Sequence, residues 1–497
     1  MILTDEPTRT KHLETGVWGT VTLDAIFRKT AQTYPQRLAL ADAPDRTEWT
    51  SGAPERLTYG EAEHLVSRIS ALFSHLGLAQ DHVVAIMMPN TVSTVLTYLA
   101  AWRCGLIVVP IPLNWRRQSI LPLLEKLGAK AIITIDRIEG EDLSSQVRDI
   151  AAELFGIRQL LGFGDTLAEG IINIEHAVGE IDPAAARPEM RRKEHPADHV
   201  ATVTFTGTAD GRIVPVPRSH NQWIAAGLMP LLEARIETAA SILSPFMLTG
   251  LSGIGAGLIP WILSSGTLHL HHFRQISQFA EHCAAEAPDH VLCPAALVEA
   301  LAPALTNRGA RTDLLCLWPG VHGSADPASV APHSVVDVTI LDELALVARQ
   351  RGANPRPYPL TLGTISVPTG SDQALALVEL SSAKPGDRPE QTGMPREVLL
   401  VRGPMAPSRK VMRSCEFVQA TEQGFLETSI LARVSRADPM TAIPEINAGR
   451  PMIATPPPPA DAPSSPLEAV SPRLEPAAAA AVQRHTEPDL QPAEKTG

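Results

Sequence analysis

Apolar and polar positions along the chain fall into two alternating rhythms. In RLTYGEAEHLVSRISALFSHLGL (56–78), Leu65, Ile69, Leu72 and Leu76 recur at helical spacing and Gly77 ends the pattern. Thr58 with Glu61 three residues on is a capping box, so the helix should begin there. HVVAIMMPN (82–90) is a short, continuous apolar run stopped by Pro89, which predicts a strand buried on both faces. The pattern continues as a helix in TVSTVLTYLAAWRCG, a strand in LIVVPIPL, a helix in ILPLLEKLG and a strand in AKAIITID. Strands alternating with helices predict an α/β fold with a parallel-rich sheet covered on both faces.

Further on, HVATVTFT (199–206) reads as a strand and NQWIAAGLMPLLEA as a helix. Residues 241–268 carry no formal charge, a length that could span a bilayer. Pro245, Pro260 and the interspersed glycines and serines instead predict strand, turn, buried helix, Gly turn and strand. After about residue 360, LTLGTISVPTG, ALALVELSS and EVLLVRGP predict an antiparallel β subdomain of roughly 360–436. Residues 437–497 hold many of the chain's 44 prolines and few large apolar residues, so they are expected to be a disordered, Pro/Ala-rich tail. Such a tail is either a solvated segment with no partner or a spacer or docking segment.

Composition narrows the function. A net charge of −12 and 4% aromatic residues argue against nucleic-acid binding, which needs a basic face and stacking platforms. Five cysteines with no CxxC pair argue against a disulfide framework or a zinc site, and a reducing, cytoplasmic setting is expected. On LHLHH, His269 and His271 alternate and should share one strand face. Two same-face histidines are a start for a metal site. With no third ligand in view, a partly exposed strand end is the ordinary expectation.

The stretch TFTGTADGRIVPVPRSH (204–220) has the Thr/Gly richness of a phosphate-cradling loop, after a β-run and before an apolar segment. Such loops aim backbone N–H groups and hydroxyls at phosphate and add a cation. This one has no lysine.

Taken in order, 56–78, 81–117, LLEKLGAKAIIT, GLIPWILSSGTLHLHH, VRGPM and GFLETSILARV resemble the adenylate-forming (AMP-binding) superfamily of acyl-CoA synthetases, adenylation domains and luciferases. The resemblance covers roughly 20–436. It implies the multi-layer αβαβα large domain of that family in residues 1–436. It also implies Mg-ATP and CoA as co-substrates and a fatty or aryl carboxylic acid lying against 245–256. The family's phosphate loop, laid on this chain, puts contacts on Thr206, Gly207, Thr208, Gly211 and Arg212. Val214 stands where the family has lysine, and Ala209 and Asp210 stand where it has threonines. Glu343 takes the place of the Mg-holding acid, although the same residue also reads as an ordinary helix-starting Glu. Thr428, Ser429 and Ile430 replace Thr-Gly-Asp, so the ribose-binding carboxylate is lost and Ser429 offers a weaker bond. Met247 and Leu248 fall where many members carry an aromatic-His pair. The family's small C-terminal domain, with its catalytic lysine, has no counterpart in the Pro-rich stretch, and Lys495 lacks a domain to position it. No residue is assigned a catalytic role. Two expectations follow: an acyl-CoA synthetase-like ligase, or an inactive pseudo-ligase that binds an acyl group or partners another ligase chain through its tail.

Overall fold

A computed structural model describes residues 1–444 apart from 182–193, 209–210, 299–300, 302–304, 306–311, 320–333, 352–358, 370–373, 385–395, 409–419 and 437–439. The chain builds three large sheets. The first has seven strands in the order Ile213–Ser219, Val200–Gly207, Ile107–Pro110, Val83–Met87, Ala131–Ile135, Gln159–Phe163, Ile172–Asn173. It is parallel except for the hairpin formed by its first two strands. The second has eight, in the order Ala345–Gln350, Val335–Leu341, Asp313–Pro319, His290–Pro294, Ser241–Ser244, Thr267–Leu270, Leu38–Asp42, Arg56–Thr58. Only its two edge pairings are antiparallel.

Burial explains why the strands of the first sheet read as unbroken apolar runs. Val83–Met87 and Ala131–Ile135 are buried at every residue, because helices cover both faces. Helix Val92–Arg103 is buried almost all round because it lies between the two sheets, as does His220–Glu233, which packs on the π-helical turn Leu251–Leu258 that lies against the second sheet and runs into helix Ile259–Ser264. The uncharged 241–268 stretch is therefore strand, buried helix and strand, and no helix among the described residues is long and apolar enough to cross a membrane.

Local signals set the element ends. Thr58 Oγ accepts from Glu61 N at 3.3 Å while Glu61 Oε2 accepts from Thr58 N at 2.8 Å, closing the capping box of helix Tyr59–His75. Gly128, at φ +65°, supplies the left-handed residue that ends helix Arg117–Leu127. Ser219 and Gln222 form a second capping box, so the Ser-His dipeptide after the loop starts helix His220–Glu233.

The third sheet has six antiparallel strands in the order Leu360–Thr361, Thr441–Pro444, Leu426–Ser435, Arg396–Arg402, Ala374–Ala383, Gly363–Pro368. Thr441–Pro444 lies inside the stretch read above as tail. It pairs antiparallel with Leu426–Ser435 on one side and Leu360–Thr361 on the other. Residues 445–497, including Lys495, lie outside the described residues.

Candidate functional site

The hairpin Val200–Gly207/Ile213–Ser219 carries the loop. Its register pairs Thr206 with Val214, Thr204 with Val216 and Thr202 with Arg218, which puts Val214, Val216 and Arg218 on one face. That face is the core side: Val214 is 2% exposed and Arg218 fully buried. The loop closes on itself. Thr208 N and Oγ1 donate to the Arg212 carbonyl at 2.8 and 3.1 Å, and Gly211, at φ +85°, donates its N–H to the Thr208 carbonyl. Gly207 and Arg212 are exposed and Thr208 half-buried. Ala209 and Asp210 lie outside the described residues.

Glu343 does not begin a helix. It sits in the tight turn joining Val335–Leu341 to Ala345–Gln350, because the chain reverses there into an antiparallel pair. Its side chain points inward and is 2% exposed as a residue. Leu251 N donates to both carboxylate oxygens, at 3.1 and 2.9 Å. Gly250 leaves the room for this: a Cβ there would stand 2.4 Å from Oε1. The cation facing Glu343 is Arg218, whose Nη1 is 4.0 Å from Oε2 and whose Nη2 donates to the Glu343 carbonyl. Arg218 also donates to the carbonyl of Met405 and to Thr204 Oγ1, both at 3.4 Å, and lies 5.0 Å over the Trp223 ring. Thr206 Oγ1 accepts from Glu343 N at 3.3 Å. Burial pushes the Glu343 carboxyl up to about 7, against the opposing pull of Arg218 and the Leu251 N–H. Burial likewise draws Arg218 down to about 10, with Glu343 opposing.

Ser429 is also engaged from within. Asp342, held at φ +49° by the turn, accepts from Ser429 N at 2.5 Å and from Ser429 Oγ at 2.9 Å. Ile430 beside it is buried. The structure thus brings Thr206, Glu343, Asp342 and Ser429 together, while Gly207, Gly211 and Arg212, with the half-buried Thr208, form the turn of the hairpin. Sequence reasoning missed Arg218. The available signal was strand parity, since Arg218 lies four residues after Val214 on the same face of an otherwise apolar run.

In the segment expected to hold the acid, Leu248, Leu251, Ile254 and Ala256 are core residues, and Tyr98 donates its hydroxyl to the Leu248 carbonyl. A separate cavity of about 970 Å³ opens between helix Glu6–Glu14 and the third sheet, with Thr8, Trp18, Gln222, Glu379 and Arg402 in its wall. His269 and His271 share a face, but neither is at an exposed strand end: they are 3% and 1% exposed, covered by helix Ile276–Glu286.

Comparison with known proteins places this architecture. The sequence model of the AMP-binding enzyme family matches residues 27–340, and the chain belongs to that family. It is 22% identical over 222 residues to the medium-chain fatty-acid–CoA ligase of Escherichia coli K12, covering 45% of this chain and 37% of the relative. It is 24% identical over 211 residues to the salicyl-AMP ligase / salicyl-S-ArCP synthetase of Mycobacterium tuberculosis, covering 42% and 35%. The matched stretch is thus little more than a third of these relatives' length. Among solved structures, apo MbtA of Mycobacterium smegmatis superposes with a TM-score of 0.68 at 18% identity, covering 89% of this chain and 79% of that one. A long-chain-fatty-acid–CoA ligase of Archaeoglobus fulgidus gives 0.64 at 14% identity, covering 86% and 85%. These likenesses establish the fold.

Proposed function

We propose that this chain is a non-adenylating member of the AMP-binding family, a binding or regulatory protein on a ligase scaffold. The observation that carries it is the Arg218–Glu343 cluster. The residue in the place of the Mg-holding acid is withdrawn from solvent, bonded to Leu251 N–H and faced by an internal guanidinium. A hydrated Mg²⁺ binds through exposed oxygens and keeps several waters; Glu343 offers neither space nor access for them. The phosphate side is weakened as well: the hairpin's Arg218 faces inward, Val214 puts no cation at the place of the family's lysine, and Arg212, exposed on the loop, lies two residues before it. Asp342 occupies the hydrogen bonds that Ser429 would offer a ribose. The residues present do not fit Mg-ATP, so no step through a nucleotide is derived for them. A binding role is supported by the separate cavity beside helix Glu6–Glu14, whose size is that of a small-molecule pocket.

The test is acid-dependent ATP–pyrophosphate exchange by the purified chain, run with medium-chain fatty and aryl acids, together with the melting temperature in Mg-ATP. No exchange and no shift are expected. Nucleotide at 100 times its dissociation constant would stabilise the fold by about 2.7 kcal/mol, so such a shift, or brisk exchange, overturns the reading. Exchange that appears only when a second ligase-like chain is added would instead make this protein a subunit of an active pair.

A further inference from the structure

A second polar cluster lies on the opposite side of the second sheet. The register of the strands sets Leu243, His269, Ala41 and Arg56 in one row across four neighbouring strands. Leu243 packs under helix Ile276–Glu286 with Phe279 and Cys283, so His269 on the same row also faces that helix. On the helix, His282 and Glu286 are four residues apart and share a side. The result is a group of His269, His282 and Glu286 whose ligand atoms all lie within 4.8 Å of one another.

The hydrogen bonding of this group is unfinished. His269 and His282 are 3% and 2% exposed. Nδ1 of His269 and Nε2 of His282 are buried without a hydrogen-bond partner among the described residues. Oε2 of Glu286 stands 3.3 Å from His269 Nδ1, yet the two do not form a hydrogen bond. A buried polar atom left unpaired costs about 1–3 kcal/mol, so two nitrogens converging on a carboxylate call for an occupant. The surroundings hold the ligands in place. Nδ1 of His282 lies 3.2 Å from Nδ1 of His271. That contact leaves Nε2 of His282 as the lone-pair nitrogen when Nδ1–H donates to His271. Arg56 grips Glu286 with two N–H bonds, of 2.6 Å to Oε1 and 3.2 Å to Oε2. Glu286 and Arg56 side chains are 18% and 50% exposed, which opens a path from solvent.

We propose that His269, His282 and Glu286 form a zinc site. Two imidazoles and one carboxylate are a nitrogen-rich, borderline-soft donor set suited to Zn²⁺ rather than to Mg²⁺ or Ca²⁺. Zn–N and Zn–O bonds of about 2.0–2.2 Å separate tetrahedral ligand atoms by roughly 3.4 Å. His269 Nδ1 and Glu286 Oε2 already stand at that spacing, and the three ligand atoms, all within 4.8 Å of one another, exceed it by at most about 1.4 Å. Three protein ligands leave a fourth position for water or a ligand group on the Arg56 side.

The probe is Zn²⁺ itself, titrated by equilibrium dialysis into the full chain after chelator treatment, with Mg²⁺ as the contrast and Co²⁺ absorption as the geometric readout. One tight equivalent of zinc, no competition from Mg²⁺ and the intense visible bands of tetrahedral Co²⁺ are expected. Glu286→Gln, at the solvent edge and nearly isosteric, should weaken that equivalent at least about 10–100-fold while leaving the circular dichroism unchanged. His282→Gln should abolish it. Lys11→Ala, remote from the cluster, should leave it intact. Absence of a stoichiometric zinc equivalent in the wild type overturns the site, as does an equal affinity in E286Q. None of these readouts depends on adenylation.

Discussion

Two polar clusters in this molecule, each with a buried pair at its centre, are differently completed. Around Arg218 and Glu343, the carboxylate oxygens accept from a backbone N–H and face a guanidinium, and that guanidinium reaches Met405, Thr204 and the Glu343 carbonyl. Around His269 and His282, buried ring nitrogens converge without hydrogen-bond partners among the described residues. In the first cluster the polar groups partner one another and tie the hairpin to the turn. The second is open, and its unmet nitrogens keep binding capacity. Position within the family scaffold points to the first as the functional locus; hydrogen-bond completeness points to the second.

This contrast can be broken by substitution. Arg218→Met should be the most damaging change, because it strands the buried Glu343; removing one partner of a buried pair costs about 3–5 kcal/mol. Urea unfolding checks it, and R218M/E343Q should regain a large part of the loss. A cost below about 1 kcal/mol would show that the cluster is not closed in solution.

The pH dependence comes next. The Glu343 carboxyl is raised to about 7 from an ordinary 4.5, so the folded state binds that proton more tightly than the unfolded chain does. Its contribution is full below about pH 4.5 and is lost as pH rises to about 7. At 1.36 kcal/mol per unit this amounts to about 3 kcal/mol. The difference in unfolding free energy between wild type and E343Q, followed from pH 4.5 to 8, should carry that slope; a flat difference refutes it.

Gly250→Ala is a smaller probe of the same cluster. Its φ of −174° suits any residue, so the contact with the Glu343 carboxylate is what matters. Overpacking of that kind costs about 1–3 kcal/mol, measured by the urea midpoint at constant slope. The smallest effect should come from the open cluster. Without metal, Glu286→Gln loses only a half-exposed ion pair with Arg56, worth about 0–1 kcal/mol. A large loss in metal-free E286Q would mean that this cluster, too, is structural.

Much of the scaffold was legible in the chain. The helix beginning at Thr58, the buried strands 83–87 and 131–135 and the turn-interrupted 241–268 stretch each follow from patterns of a few residues. Local backbone chemistry decides such patterns. The loss of lysine at Val214 was legible for the same reason: it is a statement about one loop. The partnership of Arg218 with Glu343 was not, because the two are 125 residues apart and meet only when the hairpin and the turn between the last strands of the second sheet converge. Asp342 reaching Ser429 across 87 residues is of the same kind. The cluster at His269 was half visible. LHLHH announced one face, and His282 with Glu286 at helical spacing was a second signal, but nothing local aims that helix face at that strand.

By itself, then, the sequence determined the order of strands and helices, their ends and the chemical poverty of the phosphate loop, all of which depend on neighbours in the chain. Only the tertiary structure decided which charges neutralise one another and which nitrogens stay unmet. Burial removes water as a partner, and a buried polar group must then find whatever the folded chain brings within about 3 Å of it.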